Sequence, residues 1–63
     1  MFTVLEWNDT HSVYNHEAET LTIVSDEGRF ETSMSIDKYW RVLCKTYTTI
    51  KKRGASYKVQ QYG

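Results

Sequence analysis

At 63 residues the chain is one domain, close to the smallest size at which a core holds without a metal, disulfides or a partner subunit. A composition of 40% hydrophobic and 25% charged residues excludes a disordered chain, and a single cysteine, Cys44, excludes an internal disulfide and a cysteine zinc cluster. The formal charge is zero but divided: residues 1–31 hold seven acids against Arg29, and residues 32–63 hold seven bases against Asp37, so the halves carry −6 and +6.

Phe2 to Trp7 is β-branched and aromatic with apolar residues on both sides, as in a strand with a neighbour on each side or a partly covered face. Asn8 and Asp9 turn the chain, because their side chains bond nearby backbone and tolerate positive φ. His11 to Tyr14 is polar and mixed, and reads either as a short return strand or as a loop. Thr20 to Val24, TLTIV, is a strand by composition and by period. Ser25-Asp26-Glu27-Gly28 turns the chain again, its glycine suited to closing the loop with a left-handed bulge residue. Arg29 to Ser35 is the partner strand, with Phe30, Thr32 and Met34 on one face and Arg29, Glu31 and Ser33 on the other.

Ile36, Trp40, Leu43, Tyr47 and Ile50 then follow at spacings of four, three, four and three. This predicts an amphipathic helix from Ile36 to Arg53, about 27 Å long at 1.5 Å per residue. A second stripe, Lys38, Arg41, Lys45, Thr48 and Lys52, is mainly basic. Ser35 suits the N-cap, Asp37 meets the positive end of the dipole and stands i, i+4 to Arg41, and Lys51, Lys52 and Arg53 meet the negative end. Gly54 suits the left-handed position that ends a helix. The β-branched Thr46, Thr48 and Thr49 leave a rival, in which the helix stops near Lys45 and the rest forms a hairpin turning at Arg53-Gly54. Ser56 to Tyr62 closes the chain as a strand or an extended tail. The expected fold is α+β: a small antiparallel sheet of three to four strands with one long amphipathic helix across one face.

Cys44, beside Leu43, is expected as a small buried hydrophobe in a reducing compartment. The start MFTVLEWNDT lacks the basic residues and apolar run of an export signal, and no stretch reaches the ~18 apolar residues of a membrane span, so a cytoplasmic protein is expected. Catalytic chemistry finds no foothold. His11 and His16, with Asp9, Glu17 or Cys44, match no metal-ligand spacing and read as surface histidines. Asp26 and Glu27 fall in a solvated turn, and so short a chain has little room for a water-excluding pocket around a Cys-His pair. No enzyme activity, metal or cofactor is expected.

Two binding readings remain. In the first, the chain is an interaction module with an accessory, regulatory or inhibitory role toward a protein. Lys38, Arg41, Lys45, Lys52 and Arg53, or the acidic Glu17, Glu19, Asp26 and Glu27, steer the partner, while Trp7, Tyr14, Tyr39 and Tyr57 supply anchors. In the second, the basic helix face neutralises nucleic-acid phosphates and Thr48, Thr49 and Tyr39 add hydrogen bonds. Zero net charge and a pI of about 6.7 favour the protein reading. The acidic half packing on the basic half is the third way to use these charges. A homodimer would enlarge a small core. In size and lack of catalytic motifs the chain resembles small accessory or inhibitory proteins of phages and mobile elements, a resemblance of type rather than of motif.

Overall fold

The computed structural model, which describes residues 1–63, has strands β1 Phe2–Trp7, β2 Thr10–Asn15, β3 Thr20–Ser25 and β4 Gly28–Ser33, helix α1 Ile36–Lys52 and strand β5 Tyr57–Tyr62. The turns follow from their residues. Asn8 takes φ 51° between β1 and β2. The Asn15 side-chain oxygen accepts the N–H groups of Glu17 and Ala18 at 3.0 and 3.2 Å, and Glu19 at φ 53° leads into β3. Between β3 and β4 the register runs unbroken from Ser25↔Gly28 to Thr20↔Ser33. The loop is therefore Asp26-Glu27 alone, without the glycine bulge expected from the sequence, although Gly28 does take a positive φ of 131°.

The strands form one antiparallel sheet of order β4-β3-β2-β1-β5, five strands rather than three to four. Three hairpin connections lay the first four strands side by side. Helix α1 then carries the chain back across the sheet, so that β5 pairs with β1 on its free side. The polar run around His11 is a full strand. Its period is real but disguised: Ser12 and Tyr14, 5% and 0% exposed, lie under the helix, and the small polar Ser12 stands where a larger apolar residue would have announced the pattern.

Helix α1 runs through to Lys52, which excludes the second-hairpin rival. The hydroxyls of Thr46, Thr48 and Thr49 donate to the carbonyls of Val42, Cys44 and Lys45 at 2.9, 3.0 and 3.0 Å, so these β-branched residues satisfy their polar atoms within the helix. Ser35 Oγ accepts the Lys38 N–H at 3.3 Å as the N-cap. At the other end Gly54, φ 67°, donates its N–H to Lys51 O, and Ala55 donates to Ile50 O, both at 3.1 Å, which is the paired-bond Schellman ending. Asp37 makes no ion pair with Arg41; the ion pairs are Met1 N-terminus–Glu17 and Arg29–Glu31, and His11 Nδ1 lies 3.4 Å from Glu6.

The core joins Leu5, Tyr14 and Leu21 of the sheet to Tyr39 and Leu43 of the helix, with Trp7, Ile23, Met34, Ile36 and Tyr47 packed around them. Leu43 and Ile50 hold the buried positions expected of the stripe, but Trp40 does not: it is 42% exposed, and Tyr39, 1% exposed, takes its place. Successive helical residues stand about 100° apart, so either ring fits a three-four spacing. The sheet makes the choice. Tyr14 offers a flat ring on which Tyr39 stacks at 4.0 Å and 6°, while Trp40 tilts at the rim, 6.3 Å from His16. Tyr39 is therefore a core residue rather than a hydrogen-bond donor to a partner. Cys44, the neighbour of Leu43 in sequence but about 100° away around the helix, is exposed, contrary to the buried expectation.

The two stacked tyrosines predict a contrast. The Tyr14 hydroxyl donates to Met34 O at 2.8 Å, whereas the buried Tyr39 hydroxyl has no partner. Tyr39→Phe is expected to leave the thermal midpoint unchanged or raise it, and Tyr14→Phe to lower it by about 5 °C, since only the second leaves a carbonyl short of its donor. Melts followed by circular dichroism check both. On the opposite, uncovered face of the sheet Val4 pairs with Val13, and Phe2, Val24 and Tyr62 are exposed. No helix is long and apolar enough to cross a membrane.

Candidate functional site

Six of the eight cations belong to α1 and its C-cap: Lys38, Arg41, Lys45, Lys51, Lys52 and Arg53, all exposed. Asp37 is the one acid among them, so this layer carries +5 and the remainder of the neutral chain −5. None of the six is in an ion pair. The division of charge along the sequence is thus a division in space for the helix: the halves meet at Glu6 and Lys58, opposite each other in the β1–β5 register, but no ion pair joins them. The cause is geometric: the helix packs on the sheet through its apolar side, which turns its cations outward, while the acids sit on turns and on the uncovered sheet face.

The cations border a groove. Tyr47 leans toward β5, where its ring lies 5.1 Å from that of Tyr57, so Val42, Thr46 and Thr49 occupy the other flank of the helix. On that flank Trp7, Val42, Thr46 and Ile50 line an open groove of about 360 Å³ with Lys45 and Arg53 at its edge. A second groove of about 350 Å³ shares Val42 and Lys45 and continues past Arg41 and Lys38 to Asp37 and Ser35. Of the basic residues singled out in the sequence, Lys38, Arg41, Lys45 and Arg53 come together along these adjoining grooves, whereas Lys52 is exposed and lines neither. The sequence reading missed Val42 and Thr46; of its four aromatic anchors, Trp7 is the one that lines this groove. Val42 and Thr46 repeat at helical spacing with Thr49, a signal present in the sequence; the placing of Trp7 beside them comes only through the fold.

The acidic residues do not form one surface. Glu17 and Glu19 lie in the turn between β2 and β3, Asp26 and Glu27 in the turn between β3 and β4, at opposite ends of β3. A strand of 6 residues separates them, about 20 Å. Glu17 lies 3.9 Å from the N-terminal ammonium. His11 is exposed, 3.4 Å from Glu6, but His16 is half-buried and held by Thr3, its Nε2 2.7 Å from Thr3 Oγ1, so only one of the two is a free surface histidine.

The groups with displaced ionisation are tyrosines of the packing layer. Burial pushes the Tyr39 phenol up to about 12, with Tyr47 and Tyr14 adding to the effect. Burial also raises Tyr14, reinforced by the Glu19 carboxylate, and raises Tyr47, reinforced by Tyr57 and Cys44. The packing that raises Tyr14 and Tyr39 also brings the His16 ring within 5.1 and 6.5 Å of theirs, edge-on. No protein-family model, curated protein or solved structure matches the chain.

Proposed function

We propose that this chain is a small non-enzymatic interaction module that docks onto an acidic segment of another protein through the basic flank of α1, in an accessory, regulatory or inhibitory role. The observation that carries the reading is the line of exposed, unpaired cations beside an apolar groove floored by Trp7, Val42 and Ile50. Cations without an internal partner give a field that steers an acidic molecule, and an apolar floor gives it somewhere to anchor. The partner segment is therefore acidic and carries an aliphatic or aromatic side chain. Confinement of the displaced phenols to the packing layer supports a binding role over a catalytic one.

Nucleic acid is the second reading, favoured by the spread of Lys38, Arg41, Lys45 and Lys52 along a single helix of 17 residues, about 25 Å. The neutral chain weighs against it, as does the second apolar requirement of the groove, which a phosphate backbone does not meet.

One titration separates the two. An Asp/Glu-rich peptide bearing one leucine and a duplex DNA are each added at low salt while Trp fluorescence and probe anisotropy are followed. The peptide is expected to bind and to perturb Trp7, with affinity falling roughly tenfold or more in the Lys38→Glu, Arg41→Glu, Lys45→Glu triple variant, since exposed ion pairs contribute about 0.2–1 kcal/mol each and reversal adds repulsion. Preference for the duplex, lost in the same variant, would establish the second reading instead. Binding of neither probe sinks both.

A further inference from the structure

The sheet order β4-β3-β2-β1-β5 ends on two free edges, β4 and β5. In an antiparallel sheet, opposite residues alternate between pairs that exchange backbone hydrogen bonds and pairs that do not. The Met34 N–H donates to Glu19 O at 2.9 Å and continues the β3–β4 register, so the even-numbered residues of β4 turn their backbone groups toward β3. Arg29, Glu31 and Ser33 therefore hold their N–H and C=O groups outward along the open edge. Arg29 and Glu31 also share the uncovered sheet face, where their side chains pair at 3.0 Å. Phe30 lies between them on the helix side and, at 59%, is the most exposed of the large apolar residues.

We propose that β4 is a self-recognition edge, which pairs antiparallel with β4 of a second copy about a two-fold axis at Phe30. In that register Arg29 stands opposite the partner's Glu31, and Glu31 opposite the partner's Arg29. Both are pairs whose backbone groups point outward, so each exchanges its two hydrogen bonds. The four charges alternate in sign around the axis. Phe30 meets its own copy at a position without backbone bonds, where opposing side chains lie closest. The two sheets become one, with both helices on the same side of it.

Other two-fold pairings lack this complementarity. An axis at Glu31 would put like charges opposite one another, which opposes pairing. On β5 the single charge is Lys58 and there is no acid, so no register supplies a charge pair. A lysine on an edge strand also discourages pairing. The proposal rests on β4 and makes no use of the helix cations.

Mass measured against concentration by sedimentation equilibrium tests it, with wild type, Arg29→Glu, Glu31→Arg and the double exchange. The wild type is expected to rise from 7.5 kDa toward twice that value. Each single reversal places like charges opposite and is expected to weaken association by at least about tenfold, while the double exchange restores it. Both side chains are more than half exposed, and circular dichroism confirms that each variant keeps the fold. A wild type that stays monomeric overturns the proposal. So does a dimer indifferent to both reversals, or masses beyond the dimer, which would mean head-to-tail pairing of β4 with β5.

Discussion

Leu43→Ala is expected to leave the chain largely unfolded. Leu43 is 6% exposed at the middle of α1 and belongs to the cluster that joins the helix to Leu5, Tyr14 and Leu21. Truncating a buried leucine to alanine costs about 2–5 kcal/mol, from lost transfer energy and from the cavity left behind. A single core in a chain this short supplies no more than about 3–5 kcal/mol. The loss is therefore of the size of the whole stability. Urea titration followed by circular dichroism would show it, with Thr48→Ala on the exposed side of the same helix as the control, expected within about 0.5 kcal/mol of wild type. A Leu43→Ala protein that keeps a cooperative transition within about 1 kcal/mol of wild type would mean that the helix does not pack through this position.

Alkaline pH is expected to unfold the protein through its buried phenols. An unfolded tyrosine loses its proton near 10.0, whereas Tyr39 in the fold holds it to about 12. Between those values the folded state binds more protons than the unfolded state, so stability is fully present below pH 10 and falls as pH rises toward 12. Tyr14 and Tyr47 are displaced in the same direction and act with the same sign. At about 1.4 kcal/mol per pH unit, the rise of Tyr39 from 10.0 to about 12 withdraws up to about 3 kcal/mol, a large share of what so small a domain has. Tyrosinate absorbance and circular dichroism, recorded together on a pH titration, should show ionisation of the buried phenols and unfolding as one step, and Tyr39→Phe should move that step to higher pH. Ionisation of all five tyrosines near pH 10 in a chain that stays folded would show that the phenols are not buried.

The site was legible in part. Lys38, Arg41, Lys45 and Arg53 could be chosen from the sequence because a helical repeat brings them to one side, and the fold sets them along one groove. Tyr39 could not be separated from Trp40, because adjacent residues on a helix differ only in angle and the deciding surface, Tyr14, belongs to another strand. Trp7 was legible as an aromatic anchor, but its place under the helix flank and the edge position of β4 depend on pairings between distant segments, which no local pattern encodes.

What the sequence by itself determined is local. Asn8, Asp9 and Gly28 mark the first and third turns, and alternation marks β1, β3 and β4. The Ser35 cap, the three-four spacing and Gly54 mark the helix, because backbone sterics and nearest-neighbour hydrogen bonds act over a few residues. The tertiary structure alone decided the order β4-β3-β2-β1-β5, the choice of Tyr39 over Trp40 for the core, and the free state of the helix cations. Each depends on which surfaces meet: packing selects among faces that the period leaves equivalent, and the helix cations are neutralised by contact only if the fold sets acids against them, which this one does not.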